Sequence, residues 1–381
     1  MYTVSQFLAM VNDRARTDAM DAAIRRVVRP GDRVLDLGCG FGYWSVIACQ
    51  AGAAHVDAVD INPAVTLVPQ VAKANGCEAR IAWYHADGAR VALPAPPDVL
   101  ISDLRGTLPI SGDHLPVFMA VRDRQLRPGA RLVWERDTLW VAPSEVSTTY
   151  RRDVLQSHAA DRCDITPILS HVASVPYRTS VERGQLLGAG VQWAAIDYAT
   201  VGSPDFETRV EISVARDGLF EALTLWFDAE LQPGIGFSNA PGTSVEMYRN
   251  LLLPLAKPFH VKAGQRMQVE LRARHVPGGY VWQWRGETLD GTTVFDHHSL
   301  AETVMHPTLL PPPVASPLPT LGVRSEALAW LLTQLGRSTT VAAAAGEARR
   351  RWPALFTSES EAERWVQASF QQAKRWDRGV E

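Results

Sequence analysis

Cysteine is scarce in this chain. Cys39, Cys49, Cys77 and Cys163 are the only four among 381 residues, and none stands in a CxxC pair. They are too few to staple a chain of this size, so a reducing, cytoplasmic setting is expected. Charge of one sign is also missing: 38 basic residues oppose 41 acidic ones, a formal net charge of -3. That balance leaves no electrostatic footprint for nucleic acid, and no block of like charge suggests a tail that binds a membrane. No apolar run approaches the ~20 residues a membrane span needs. The opening stretch MYTVSQFLAMVNDRARTD has neither the basic start nor the small-residue cleavage site of a secretory signal. His297-His298 has no partner at metal-ligand spacing, so no metal site is expected. What remains is an ordinary soluble composition, 46% hydrophobic and 21% charged, in a chain long enough for two or three domains.

Residues 3–28 carry apolar positions Phe7, Met10, Val11, Met20, Ala23 and Ile24 at helical spacing, which predicts one helix. From Arg33 the texture changes to short apolar runs at 34–37, 55–60, 81–84, 98–102 and 131–134. Helix-like stretches lie between them, at 43–51, 63–75 and 113–125. Such alternation predicts a mostly parallel sheet covered on both faces. Residues 186–302 instead carry closely spaced strand signals at 190–196, 208–214, 222–227 and 267–271, with Gly and Pro at 202–204, 233–236, 241–242, 277–279 and 286–291. That predicts an antiparallel region, barrel or sandwich. The Pro-rich stretch 307–319 reads as a stiff linker. Residues 321–376 look helical, with a break at Pro353.

The segment VLDLGCGFG, Val34 to Gly42, reads as a strand entering a glycine turn that opens a helix. Gly38 and Gly40 permit backbone angles that a side chain blocks, and Gly42 lets the helix start pack closely. A ligand can then lie on bare backbone at the carboxyl edge of the first strand. Two details narrow the ligand. Asp36 sits inside the strand, where a dinucleotide fingerprint usually has an apolar residue. Asp60 ends the second strand, 18 residues after Gly42, where a carboxylate can accept both hydroxyls of a ribose.

Together these residues resemble the class I S-adenosylmethionine-dependent methyltransferases, and more closely the protein arginine methyltransferases. The resemblance runs in separate blocks over about residues 7–300: MVNDRART (Met10 to Thr17), the glycine motif, HADG ending at Gly88, TLWFDAEL (Thr224 to Leu231) and PLAKPFHVKAGQRMQVELRAR (Pro254 to Arg274). It implies a Rossmann-like domain over 31–145 behind a helical cofactor lid over 1–30. It also implies a β-barrel substrate domain over 146–306 with a dimerisation arm at about 150–185, a linker at 307–320 and a helical module over 321–381. By the same resemblance Met10 packs near the sulfonium and Arg16 pairs with the methionine carboxylate. Asp60 holds the ribose, and Asp87 sits beside the adenine amine. Asp36, Gly38, Cys39, Gly40, Gly42, Ile61, Gly88 and Ser102 complete the cofactor set.

The acceptor loop departs from the family. Two glutamates there clamp a guanidinium, whereas this chain reads SDLRGTLPISGDH from Ser102 to His114. Asp103 replaces the first acid, Gly112 occupies the place of the second, and Asp113 falls one residue late. Arg105 adds a positive charge that favours an anionic acceptor. The stretch GTSVEMYRN puts Met247 where the family's His pairs with the loop acid. Asp103, Arg105 and Asp113 are the candidate catalytic residues. Blander roles stay open: a strand cap for Asp103, a partner to a structural carboxylate for Arg105, and a helix cap with a surface His for Asp113 and His114. Glu246 is a further candidate acid. The expected activity is N-methylation of a peptide or protein side chain by a homodimer. Alternatives are O-methylation of a carboxylate or hydroxyl on a peptide or small molecule, or a non-catalytic scaffold or peptide carrier. Residues 328–370 faintly resemble PqqD-like domains that hold precursor peptides; a simple helical cap or a dimer contact is the alternative for this module.

Overall fold

A computed structural model of the chain describes residues 2–146, 150, 154, 163–164, 166–244, 247–302, 322–334 and 340–377. The chain divides into two compact units, Met1–Val304 and Met305–Glu381.

The expected single helix over 3–28 is two helices, α1 (Val4–Asn12) and α2 (Arg14–Val27). Thr3 and Gln6 close a capping box at the start of α1. Asp13 breaks the run because its backbone is extended, at ψ 90°, which lets its carboxylate accept the Met247 N–H at 3.1 Å. α2 buries Arg16, Thr17, Met20, Ala23, Ile24 and Val27 along one stripe.

Five strands then form a parallel sheet: β1 (Arg33–Leu37), β2 (His55–Asp60), β3 (Ile81–His85), β4 (Val99–Ser102) and β5 (Arg131–Leu132), in the order β3-β2-β1-β4-β5. Helices α3 (Tyr43–Gln50), α4 (Val68–Ala74) and α5 (His114–Gln125) connect them. Leu35, Leu100 and Ile101 are fully buried, each stabilising the sheet by about 1.5–3 kcal/mol. Leu37 pairs with Val59 on one side and with Ser102 on the other. The carboxyl ends of β1, β2 and β4 therefore meet where the strand order reverses, the place where open α/β sheets bind ligands.

The second half of this unit contains two antiparallel sheets. One has the order β7-β12-β10-β6-β8, with β11 added to β10, and the other is β15-β14-β13-β9. Their strands are β6 (Arg136–Ser144), β7 (Tyr177–Thr179), β8 (Val191–Asp197), β9 (Phe206–Ser213), β10 (Gly218–Gln232), β11 (Ile235–Ser238), β12 (Asn250–Val261), β13 (Arg266–Val276), β14 (Gly279–Thr288) and β15 (Thr293–His298). Gly286, expected in a turn, lies inside β14. A Cβ there would stand 2.2 Å from the Phe295 ring, so the aromatic face of β15 requires glycine. One continuous core joins these sheets to the parallel one. Part of the 150–185 segment lies outside the described residues. Within it, Tyr177–Thr179 pairs with β12.

The second unit, taken by itself, holds helices α6 (Val323–Leu332), α7 (Val341–Arg351) and α8 (Glu359–Asp377) around Leu331, Ala344, Ala345, Ala348, Phe356, Ala362 and Val366. The linker at 307–320 lies outside the described residues.

Candidate active site

The glycine turn follows β1. Gly38, Gly40 and Gly42 take φ values of 78°, 55° and 88°, all in the left-handed region. The space above two of them is closed to a side chain. A Cβ on Gly38 would meet the Leu104 side chain at 2.3 Å, and one on Gly40 would meet the Phe7 ring at 2.8 Å. Asp60 fixes the turn from β2: its Oδ2 accepts the Gly40 N–H and its Oδ1 the Asn62 N–H, both at 2.7 Å. Burial raises its pKa despite these bonds. Asp36 is buried beneath the turn and accepts the Ser45 hydroxyl at 2.6 Å, while its Oδ1 has no hydrogen-bond partner among the described residues. Desolvation pushes its pKa up to about 7. Burial, with Asp36 and Asp60 adding to it, pushes the Cys39 thiol well up, so Cys39 is no nucleophile at neutral pH.

Ile61 is 63% exposed beside Asp60. Asp87 caps its own turn by accepting the Ala89 N–H and pairs with Arg90. Gly88 lies beneath Leu37, whose Cδ1 would stand 2.2 Å from an added Cβ. Ser102 is buried at the end of β4.

Arg16, Asp103 and Tyr248 form a buried knot. The Arg16 guanidinium pairs with Asp103 Oδ2. It also donates to the Met10 carbonyl at 2.8 Å and to the Tyr248 hydroxyl at 3.1 Å. Tyr248 in turn donates to Asp103 Oδ1 at 3.0 Å. The charged pair is 7% and 6% exposed. The residue facing the loop acid is thus Tyr248, not Met247 as the resemblance implies. Met247 contributes its backbone N–H to Asp13 instead. Tyr248 stacks on Phe237 with rings 5.7 Å apart. Its hydroxyl, one position after Met247, was the signal available in the sequence.

Two candidate residues are engaged by structural partners. Arg105 is held in the interior. Its side chain is 2% exposed and pairs with Asp137 Oδ2 at 3.0 Å. It also donates to the Tyr198 hydroxyl at 3.1 Å and lies over the Trp134 ring. Asp103 stands 3.9 Å away as a second carboxylate, and the Asp137 pair joins the acceptor loop to β6. Asp113 points to the β13–β14 turn, accepting from His275 Nε2 and the Gly278 N–H, each at 2.9 Å. The Gly278 bond, then His275, holds its pKa low. Asp113 stands at the start of α5 without a side-chain cap bond. His114, expected at the surface, is largely shielded; burial lowers its pKa, and its Nδ1 has no partner among the described residues. Glu246 lies outside the described residues. No cluster of three or more metal-ligating side chains occurs among them.

A family model for ribosomal protein L11 methyltransferase (PrmA) matches residues 17–104. A probable protein arginine N-methyltransferase 6.1 from Oryza sativa subsp. japonica is 34% identical over 256 residues, covering 65% of this chain and 64% of the relative. The chain therefore spans just under two thirds of that protein. An arginine N(omega)-methyltransferase from Streptomyces achromogenes subsp. streptozoticus is 27% identical over 271 residues, covering 69% of this chain and 74% of the relative. The structure of the Trypanosoma brucei PRMT1 enzyme-prozyme heterotetrameric complex with AdoHcy superposes with a TM-score of 0.68 at 20% identity, covering 77% of this chain and 97% of that one. Arabidopsis thaliana protein arginine methyltransferase 10 does so at 0.67 and 18%, covering 78% and 97%. Fold and sequence make the chain similar to the class I methyltransferases. Within that class the chain resembles the protein arginine methyltransferases.

Proposed function

We propose that this chain is an S-adenosylmethionine-dependent methyltransferase that methylates a nitrogen on a peptide or protein side chain. The single observation that carries the reading is the buried Arg16–Asp103–Tyr248 knot. It brings the cation expected to hold the cofactor's carboxylate against the acid expected to orient the acceptor. The names of the relatives, arginine methyltransferases from rice and Streptomyces, support nitrogen as the acceptor atom.

The residues present fit the cofactor. Glycines with no room for a Cβ leave bare backbone, Asp60 retains lone pairs for a ribose, and Arg16 supplies a cation. Gly38, Cys39, Gly40 and Gly42 would hold it from below. Met10, Ile61, Asp87, Gly88 and Ser102 would line its length. When bound, the cofactor supplies a methyl carbon already activated by its sulfonium charge. The chain must then exclude water, align the nucleophile and accept its proton. Asp103 is the residue proposed for the last two tasks. An anionic acceptor anchored by Arg105 loses its anchor, because Arg105 is committed to Asp137. In this reading the two antiparallel sheets form the substrate barrel, residues 150–185 the dimerisation arm, and α6–α8 a helical cap or dimer contact of a cytoplasmic homodimer. Light scattering at half the expected dimer mass would refute the homodimer.

Calorimetry with S-adenosylhomocysteine should give one site per chain, and absence of binding would overturn the cofactor assignment. Labelled methyl transfer to an arginine-containing peptide should yield an alkali-stable product, whereas alkali lability would indicate an ester. Tyr248→Phe removes a hydroxyl bonded to a carboxylate, worth about 1.5–3 kcal/mol. It should slow turnover about 10- to 100-fold and leave S-adenosylhomocysteine affinity within twofold. Unchanged turnover would remove Tyr248 from the acceptor site.

A further inference from the structure

Asn239 stands just after β11 and is 1% exposed. Its side-chain amide bonds to three separate segments. The Oδ1 accepts the Phe227 N–H from β10 at 2.7 Å. The Nδ2 donates to the Arg249 carbonyl at 2.5 Å and to the Thr107 carbonyl at 3.2 Å. The backbone completes the anchor: the Asn239 N–H donates to the Phe227 carbonyl at 3.2 Å, and its carbonyl accepts from Asn250 Nδ2 at 2.7 Å. One buried side chain thus joins β10, the acceptor loop and the turn that carries Tyr248.

That turn is strained. Arg249 has φ 53°, and among the described residues it is the only one besides glycines in the left-handed region. A residue with a long side chain does not choose this conformation, so its surroundings impose it. The backbone around it is held from several elements. Asp13 accepts the Met247 N–H, Arg178 of β7 donates to the Met247 and Tyr248 carbonyls, and Asn239 takes the Arg249 carbonyl. The Tyr248 ring then lies against Phe227 and Phe237, with centroids 5.3 and 5.7 Å away. Phe227 is itself fixed by Asn239. From there the Tyr248 hydroxyl reaches Asp103 at 3.0 Å.

We propose that Asn239 is a positioning residue of the acceptor site: by holding Arg249 in its left-handed turn and the acceptor loop at Thr107, it sets the Tyr248 hydroxyl against Asp103. The reaction it serves rests on the methyltransferase reading, whereas the placement of Tyr248 rests on this geometry alone. Arg249 offers a control. Its side chain is exposed, so glycine can replace it without opening a cavity, and glycine adopts the same backbone angles unaided.

The test is made on the full chain in two parts. With an arginine-containing peptide as acceptor, Asn239→Ala should lower kcat about tenfold. KM and S-adenosylhomocysteine affinity should stay within about twofold, the latter also showing that the variant is folded. In a Tyr248→Phe background the same change should cost less than about twofold, because two residues acting through one hydroxyl are not additive. Adding Arg249→Gly to Asn239→Ala should recover most of the loss. The second part needs no turnover. In chain carrying fluorotyrosine, the fluorine NMR line that disappears in Tyr248→Phe should move in Asn239→Ala and return when Arg249→Gly is added. Asn239→Ser, which keeps one donor in the buried space, should show the same pattern at smaller amplitude, and parent-like values in both parts would overturn the proposal. So would a loss of kcat that persists in full without the Tyr248 hydroxyl, or a fluorine line that stays in place. A parent chain that transfers no methyl group overturns the methyltransferase reading instead, and the fluorine line then decides the placement of Tyr248.

Discussion

Replacing Asp103 by Asn will destabilise the cofactor-free chain by about 3–5 kcal/mol, the usual cost of leaving one partner of a buried ion pair uncompensated. Arg16 is 5% exposed, and its other two partners, the Met10 carbonyl and the Tyr248 hydroxyl, are neutral. An amide at position 103 can keep the bond from Tyr248 but cannot balance the charge. The loss is therefore electrostatic rather than a matter of shape. Urea unfolding of parent and variant, with and without saturating S-adenosylhomocysteine, measures it. Under the proposed function the ligand's carboxylate takes the vacated place at Arg16, so the gap between the two proteins should narrow when ligand is present. Turnover should fall in parallel. A variant with the parent's unfolding midpoint would show that the pair does not hold this part of the site together.

The second large effect is expected at Asp36. Its carboxyl is buried beneath the glycine turn and titrates at about 7 against an ordinary 3.8, chiefly because ionisation there is poorly solvated. The folded-state pKa lies above the unfolded one, so the folded chain holds its proton longer. The contribution to stability is fully present below about pH 4 and is lost as pH rises through about 7. A displacement of roughly three pKa units corresponds to about 4 kcal/mol. Asp36→Asn keeps the size of the side chain and an acceptor for Ser45, and it removes the titration. Relative to the parent, the variant should gain up to about 4 kcal/mol between pH 4 and pH 8. Asp60 shifts in the same direction, but it is present in both proteins and cancels in the comparison. Urea midpoints at pH 5 and pH 8 decide the matter. An equal difference at both pH values would show that Asp36 does not titrate in this window.

The parallel sheet was legible in the sequence because its strands are short, apolar and spaced by helices, and because glycines at 38, 40 and 42 mark the left-handed turn that follows β1. The break at Asp13 was not legible. Nothing local forbids a helix there, and its cause is a backbone N–H from Met247. β14 was hidden for a similar reason, since Gly286 looks like a turn until Phe295 is seen across from it. The candidate site divides the same way. Gly38, Gly40 and Asp60 belong to one contiguous strand-turn-strand unit, so their spacing placed them. Arg105, Asp113 and Tyr248 have roles set by partners 32, 162 and 145 positions away, and no local pattern reports which partner a side chain meets.

Arg105 also bears on how freely this acceptor loop can be moved between proteins. Besides standing 3.9 Å from Asp103 within the loop, it is bound to Asp137 of β6 and to Tyr198 just beyond β8. Grafted onto a relative with apolar residues at those places, the loop would carry a guanidinium into the interior without the Asp137 carboxylate that meets it at 3.0 Å. The reverse graft would strand Asp137, which is fully buried. Loop and sheet are therefore exchangeable only as a matched set, and an effort to restore a second acid in the loop has to leave that set intact.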